Sequence, residues 1–305
     1  MKSKHIDINK AKILKDLENN GFSKTNIFFS AIDKEIIKNE VSSIFSNTLK
    51  NSNKNYNDFF KISKNNIGKH QTNAIGHSEK LDLVISNFLN NNLLVDILDR
   101  VLGKNRKINT ISIRKADANS SYDGIHTDHP AMMSISILVN KQNASSPTTC
   151  VVPGTHVSPI LLSDKIEKFP TNLLSFFYSS FYGDTGDVMF FFNRTWHGMK
   201  RGRGTGTVII IGLIAEGHVN DNVIRLPSKT MYGLSFEDNN FKYINNMIDK
   251  DFNATYNNNS EEIFMNRIIF NQLHPRLSYK EVFFFILGYL LQVTRIFKNL
   301  IKIRL

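Results

Sequence analysis

The 305-residue chain contains one cysteine, one tryptophan and seven prolines, and no long uninterrupted apolar run. Cys150 has no cysteine to pair with inside the chain, which excludes a disulfide scaffold, a Cys-x-x-Cys redox pair and a thiolate zinc cluster. A reducing, cytoplasmic setting is the expectation. The longest apolar run, 282–291, is interrupted downstream by Gln292, Thr294 and Arg295 and falls short of the ~20 residues a membrane-spanning helix needs. The opening MKSKHIDINKAKILKDLENNG alternates charged with apolar residues and lacks the continuous apolar stretch of a secretory signal. Acidic residues are also in deficit, 27 against 38 Lys and Arg, for a formal net charge of +11. That positive charge is dispersed along the chain rather than gathered in a stripe, so no nucleic-acid partner is expected.

What the sequence does have is core-forming material, 41% hydrophobic, enough to exclude global disorder. Over 31–49 the residues Ile32, Ile36, Ile37, Val41, Ile44 and Phe45 recur with helical spacing and mark one buried face. A similar stripe from Leu81 through Ile85, Phe88, Leu89, Leu93, Leu94, Ile97 and Leu98 predicts a single helix over about 81–102, with Gly103 as its C-terminal cap. From about residue 108 the pattern changes to short β-rich runs bounded by turn residues: 108–116, 132–140, 148–152, 187–192 and 207–215. Strands in this sequence, without helices alternating between them, predict an antiparallel sandwich or barrel rather than a doubly wound sheet. The expected organisation is one domain over 1–280, helical to about 105 and β-rich over about 106–220, followed by a basic amphipathic helix at 281–305.

Chemistry concentrates in the β-rich part. His126 and Asp128, in GIHTDHP, are two residues apart, so in an extended segment both project to one face. His197, in FFFNRTWHGMK just beyond a strongly apolar run, offers a third ligand. Two imidazoles and one carboxylate are the donor set of non-haem Fe(II) oxygenases, which leave coordination positions open for a cosubstrate and dioxygen. An isolated His-x-Asp occurs often by chance. Its weight comes from the pieces that follow in order: the strand SISILVN, the loop VVPGTH, the run GDVMFFFN, and then His197-Gly198.

This ordered set, over about 108–216 or roughly a third of the chain, resembles the phytanoyl-CoA dioxygenase family of Fe(II)/2-oxoglutarate oxygenases. The resemblance implies a double-stranded β-helix (jelly-roll, cupin-like) core, with N-terminal helices completing an α+β fold. It also implies Fe(II) held by His126, Asp128 and His197, 2-oxoglutarate as cosubstrate, and hydroxylation of a small organic molecule with dioxygen. One departure stands out. The family holds the far carboxylate of 2-oxoglutarate with an arginine about ten residues after the distal histidine, and here that slot falls near Thr207. Arg201 and Arg203, in KRGRGTGT just before it, are the expected substitutes, with Arg203 preferred and Arg114 the alternative from another strand.

Two further readings stay open: a metal enzyme on the same barrel that does not use 2-oxoglutarate, and a non-catalytic relative that binds a membrane or a partner. The second is motivated by the C-terminal helix, where Arg295, Lys298, Asn299 and Lys302 share a face. Such a helix suits a peripheral contact with an anionic membrane surface, or packing against the barrel or a second subunit. His156 is expected to be structural, His129 to point away from the ligands, Asp187 to serve a turn, and Tyr122 and Trp196 to pack near the site.

Overall fold

A computed structural model describes residues 2–51, 69–118, 125–128, 131–158 and 177–215. The region 281–305, the Asn-rich stretch 251–260, Tyr122, His129 and most of 157–185 lie outside the described residues. Among the described residues no helix is long and apolar enough to cross a membrane.

The chain opens with helix α1 (Lys2–Asn20), turns at Gly21 into strand β1 (Phe22–Thr25), and continues into α2 (Ala31–Asn51) and β2 (Lys69–Asn73). The stripe read as a single helix over 81–102 is two helices, α3 (Glu79–Leu89) and α4 (Asn92–Leu102). The break has a local cause. The Asn91 side chain accepts hydrogen bonds from the N–H groups of Leu93 and Leu94, starting a new helix there, and Asn90 ends the preceding one. Gly103 takes the positive φ (87°) of a C-terminal cap.

The remaining strands are β3 (Lys107–Ala116), β4 (Met132–Leu138), β5 (Thr148–Val151), β6 (Ser179–Ser180), β7 (Val188–Phe192), β8 (His197–Lys200) and β9 (Gly206–Ile214). The five strands expected from the sequence are all present, and β1, β2, β6 and β8 are additional. They form a six-stranded antiparallel sheet of order β1-β7-β4-β9-β3-β2 and a three-stranded one of order β6-β5-β8. The segment at His126 adds to the free side of β8 through an antiparallel bridge between His126 and His197.

Two apolar cores use the two faces of the large sheet. Ile111, Ile113, Met133, Ile135, Ile137, Phe190, Phe192, Ile209 and Ile211 pack against the helices. The opposite face turns toward the small sheet, where Leu138, Met189, Phe191, Val208 and Ile210 cluster with Val151 and Phe181. All nine residues of β9 are buried, which explains a near-continuous apolar run in place of clean alternation.

Candidate metal centre

The site is assembled where the His126 segment, β8 and the end of β7 meet. Backbone pairing fixes the spacing first. The His126 N–H donates to the His197 carbonyl at 2.8 Å, the His197 N–H donates back at 2.9 Å, and the Asp128 N–H donates to the Asn193 carbonyl at 2.9 Å. His126 and Asp128, two apart on an extended segment, therefore face the same way and meet His197 across the bridge. His126 Nε2 lies 3.7 Å from Asp128 Oδ1, and His197 Nε2 lies 3.3 Å from Asp128 Oδ2. One ligand atom from each of the three falls within 4.8 Å of the others. The imidazole centroids are 4.4 Å apart, and Phe191 closes one side of His197 at 5.0 Å.

Supporting contacts orient these groups. His197 Nδ1 lies 2.8 Å from the Thr195 carbonyl, which can only accept, so Nδ1 carries a proton and Nε2 is the nitrogen turned toward Asp128. Asn193 Nδ2 donates to Asp128 Oδ2 at 3.3 Å, and the Ser134 hydroxyl donates to Asn193 Oδ1 at 2.7 Å, fixing the amide's orientation. The turn that carries Thr195 is pinned from behind by Gly21, whose carbonyl accepts from Thr195 Oγ1 at 3.0 Å and from the Phe192 N–H at 3.0 Å. Gly21 has φ 78°, and a Cβ there would sit 2.6 Å from both Thr195 Oγ1 and His156 Nδ1. Both the backbone conformation and the close approach require glycine. In the same turn Arg194 is fully buried, its Nη2 donates to the Ser158 carbonyl at 2.5 Å, and burial lowers its guanidinium to about 10.

Electrostatics suit an ionised carboxylate. Partial desolvation pushes the Asp128 carboxyl up, but the hydrogen bond and charge of His197, with the charges of His126 and Arg114, outweigh it and hold the group well below the usual carboxylate range. An anionic oxygen ligand flanked by two imidazole nitrogens is a donor set that fits a divalent transition metal with positions left open.

Of the residues singled out from the sequence, the structure brings His126, Asp128 and His197 together. Arg201 and Arg203 are exposed on the loop after β8, and the Arg203 N–H is held at 2.6 Å by the Ser145 carbonyl. Thr207 is buried, with its N–H on Asn140 Oδ1. His156 is buried and structural, with Nε2 3.0 Å from the Glu18 carbonyl and its ring stacked on Phe192. Trp196 is wholly buried, and Asp187 serves a turn by accepting from the Asp184 N–H. Asn193, Ser134 and Thr195 were not singled out from the sequence, because their roles arise from contacts that no local motif encodes.

No protein-family model matches this sequence, and no curated protein matches it. Solved structures do share the fold. AviO1 from Streptomyces viridochromogenes Tue57 is 12% identical with a TM-score of 0.53, the alignment covering 69% of this chain and 97% of AviO1. The non-heme alpha ketoglutarate dependent epimerase SnoN from nogalamycin biosynthesis is 10% identical with a TM-score of 0.51, covering 70% of this chain and 92% of SnoN. EctD from S. alaskensis, solved with bound Fe, is 13% identical with a TM-score of 0.51, covering 73% of this chain and 85% of EctD.

Proposed function

We propose that this protein is an Fe(II)- and 2-oxoglutarate-dependent dioxygenase that hydroxylates a small organic molecule. The observation that carries the proposal is the convergence of His126, Asp128 and His197 from two segments about seventy residues apart, with the Asp128 and His197 side chains oriented by hydrogen bonds and His126 placed by backbone pairing. The fold supports it, since SnoN is alpha ketoglutarate dependent and EctD binds Fe. On this reading the two sheets form a double-stranded β-helix. The large sheet β1-β7-β4-β9-β3-β2 faces the small sheet β6-β5-β8, which the His126 segment extends, and the metal ligands sit on that extended edge.

His126, Asp128 and His197 would hold the iron. When bound there, the ion supplies redox chemistry with dioxygen, coupled to oxidative decarboxylation of 2-oxoglutarate to succinate and carbon dioxide, one oxygen atom entering succinate and the other the substrate. The protein's own residues provide geometry. The Thr195 carbonyl keeps the proton on His197 Nδ1, and Asn193, set by Ser134, holds one oxygen of Asp128 so that the carboxylate does not rotate freely. Phe191 and the Ile210 cluster exclude water from the inner side, while Asp128 stays open to solvent on the outer side, where a substrate can enter.

The test is an anaerobic titration of the full chain with Fe(II), with and without 2-oxoglutarate, followed by visible absorbance. A metal-to-ligand charge-transfer band that needs both components is expected. Fe(II) binding with no response to 2-oxoglutarate would leave a metal enzyme of another kind, and no Fe(II) binding would refute the assignment of the triad.

A further inference from the structure

A cation faces the space between the two sheets with only neutral partners. Lys24 on β1 pairs with Met189 of β7, a member of the cluster between the sheets, and Phe22, two residues before Lys24, packs on the same cluster. Both side chains therefore point to the inner face. The Lys24 ammonium crosses to the small sheet, where Nζ donates to Ser179 Oγ at 3.0 Å and to the Ser180 carbonyl at 2.5 Å, and it lies 5.7 Å from the centre of the Phe22 ring. Burial lowers this ammonium from its ordinary value, and among the described residues no carboxylate pairs with it. An ammonium carries three donors, so two are used and one is left. A partly desolvated charge held by neutral groups alone is unfavourable, and an incoming anion offsets much of that cost.

Strand register relates this ammonium to the triad. On the small sheet His197 pairs with Val151 and Val151 pairs with Ser179, forming one row across β8, β5 and β6. Two strand spacings, about 10 Å, thus separate His197 from the serine that holds Lys24. On the large sheet Phe22 pairs with Phe191, whose ring lies 5.0 Å from that of His197. The cluster around these rows is apolar, built from Val151, Phe181, Met189 and Phe191. A hydroxyl interrupts it. Ser136 pairs with Met189 from the side opposite Lys24 and so shares their face, is wholly buried, and has no hydrogen-bond partner for its Oγ. Buried hydroxyls are normally paired, so an orphaned one, two strands from a cation with no counter-charge, points to a polar ligand between the sheets.

We infer that Lys24 receives the acid group of the substrate, so that the molecule acted on is a small organic acid whose anionic end is held about 10 Å from the triad. The inference rests on the proposed function and specifies its substrate class. An ammonium binds a carboxylate or phosphate as a point charge, and its flexible stem adjusts to the length of the molecule. The Ser136 hydroxyl is then available to a polar group along the substrate.

The probes are hexanoate and its neutral isostere hexanamide. Each is titrated anaerobically by calorimetry into the full chain loaded with Fe(II) and 2-oxoglutarate, with the charge-transfer band reporting the loading. The unaltered protein should bind hexanoate at least about tenfold more tightly than hexanamide, the difference expected of a hydrogen bond to a charged group. Lys24→Met keeps the stem and loses the charge, and should bring the two affinities within about twofold while leaving the band unchanged. Lys24→Arg should retain part of the preference. A second measurement orients the probe. With Mn(II) in place of iron, proton relaxation should be strongest at the hexanoate methyl and weakest beside the carboxylate, because the acid end is held away from the metal. No preference for hexanoate, a preference that survives Lys24→Met, loss of the band in Lys24→Met, or strongest relaxation beside the carboxylate overturns the assignment while the proposed function stands. No band in the unaltered protein overturns the proposed function and the assignment with it. If Lys24→Met fails to fold, Lys24→Arg and the order of relaxation decide the matter.

Discussion

The two faces of the six-stranded sheet are built from the same strands and are both buried, yet they differ in kind. Toward the helices, β3 presents Ile111 and Ile113, β4 presents Met133, Ile135 and Ile137, and β9 presents Ile209, Ile211 and Leu213, an unbroken apolar surface. Toward the small sheet the same strands present Ser112 and Arg114, Ser134 and Ser136, and Val208, Ile210 and Gly212. A strand's period of two lets it serve both purposes, stability through one set of alternate residues and chemistry through the other. The apolar face can tolerate little polarity. The inner face carries hydroxyls, an amide and a guanidinium among apolar residues, at a cost in stability that the helix-covered face offsets.

This contrast predicts that changes on the inner side disturb ligands and spare the fold, while changes on the outer side do the reverse. The largest effect should come at the triad. Asp128→Ala removes the charged ligand, and Fe(II) affinity should fall by more than the roughly 10–100-fold typical of losing a supporting group. Its thermal midpoint without metal should fall only modestly, because the Asp128 side chain is half-exposed. Unchanged metal stoichiometry by elemental analysis of the purified variant would remove Asp128 from the site.

Next in size is the outer face. Ile135 is wholly buried against the helices, and Ile135→Ala should destabilise the fold by about 2–5 kcal/mol in chemical denaturation, from lost transfer energy and the cavity left behind. The fraction that remains folded should bind Fe(II) normally. If Ile135→Ala weakened metal binding as strongly as Asp128→Ala while leaving stability intact, the division of labour between the faces would be wrong.

The convergence of His126, Asp128 and His197 was legible in the sequence because its geometry is local: His-x-Asp fixes a shared face through the period of a strand, and the apolar run before His197 marks where a strand delivers the third side chain. Strands β3, β4, β5, β7 and β9 were legible from their own apolar, β-branched runs. What escaped reading depends on distant parts of the chain. The strands FSKT and KHQTN carry little apolar signal, and β1 is a strand because Phe22 to Thr25 pair with Phe191 to Val188. The break between α3 and α4 was hidden because Leu89 and Leu93 keep helical spacing across it, while the side chain of Asn91 interrupts the backbone between them. Asn193 touches Asp128 across 65 residues and Ser134 touches Asn193 across 59, separations that no motif reports.

The smallest expected effect is the sharpest test of the contrast, because it sits one residue from the second. Ser136 follows Ile135 on β4 and points to the opposite face, equally buried, with a hydroxyl that has no partner. Burying such a group without a hydrogen bond costs about 1–3 kcal/mol, and replacing it by a methyl removes that cost while giving up only a few dispersion contacts. Ser136→Ala should therefore change stability by less than about 0.5 kcal/mol or raise it by about 1 kcal/mol. Neighbouring positions of one strand, each wholly buried, would then respond to truncation with opposite or very unequal signs. The measurement is a pair of denaturation curves on metal-free protein, Ser136→Ala beside Ile135→Ala, with equal slopes required so that the midpoints compare stability alone. A loss above about 1.5 kcal/mol for Ser136→Ala would mean that its hydroxyl is satisfied within the protein, and the inner face would then be a structural surface like the outer one.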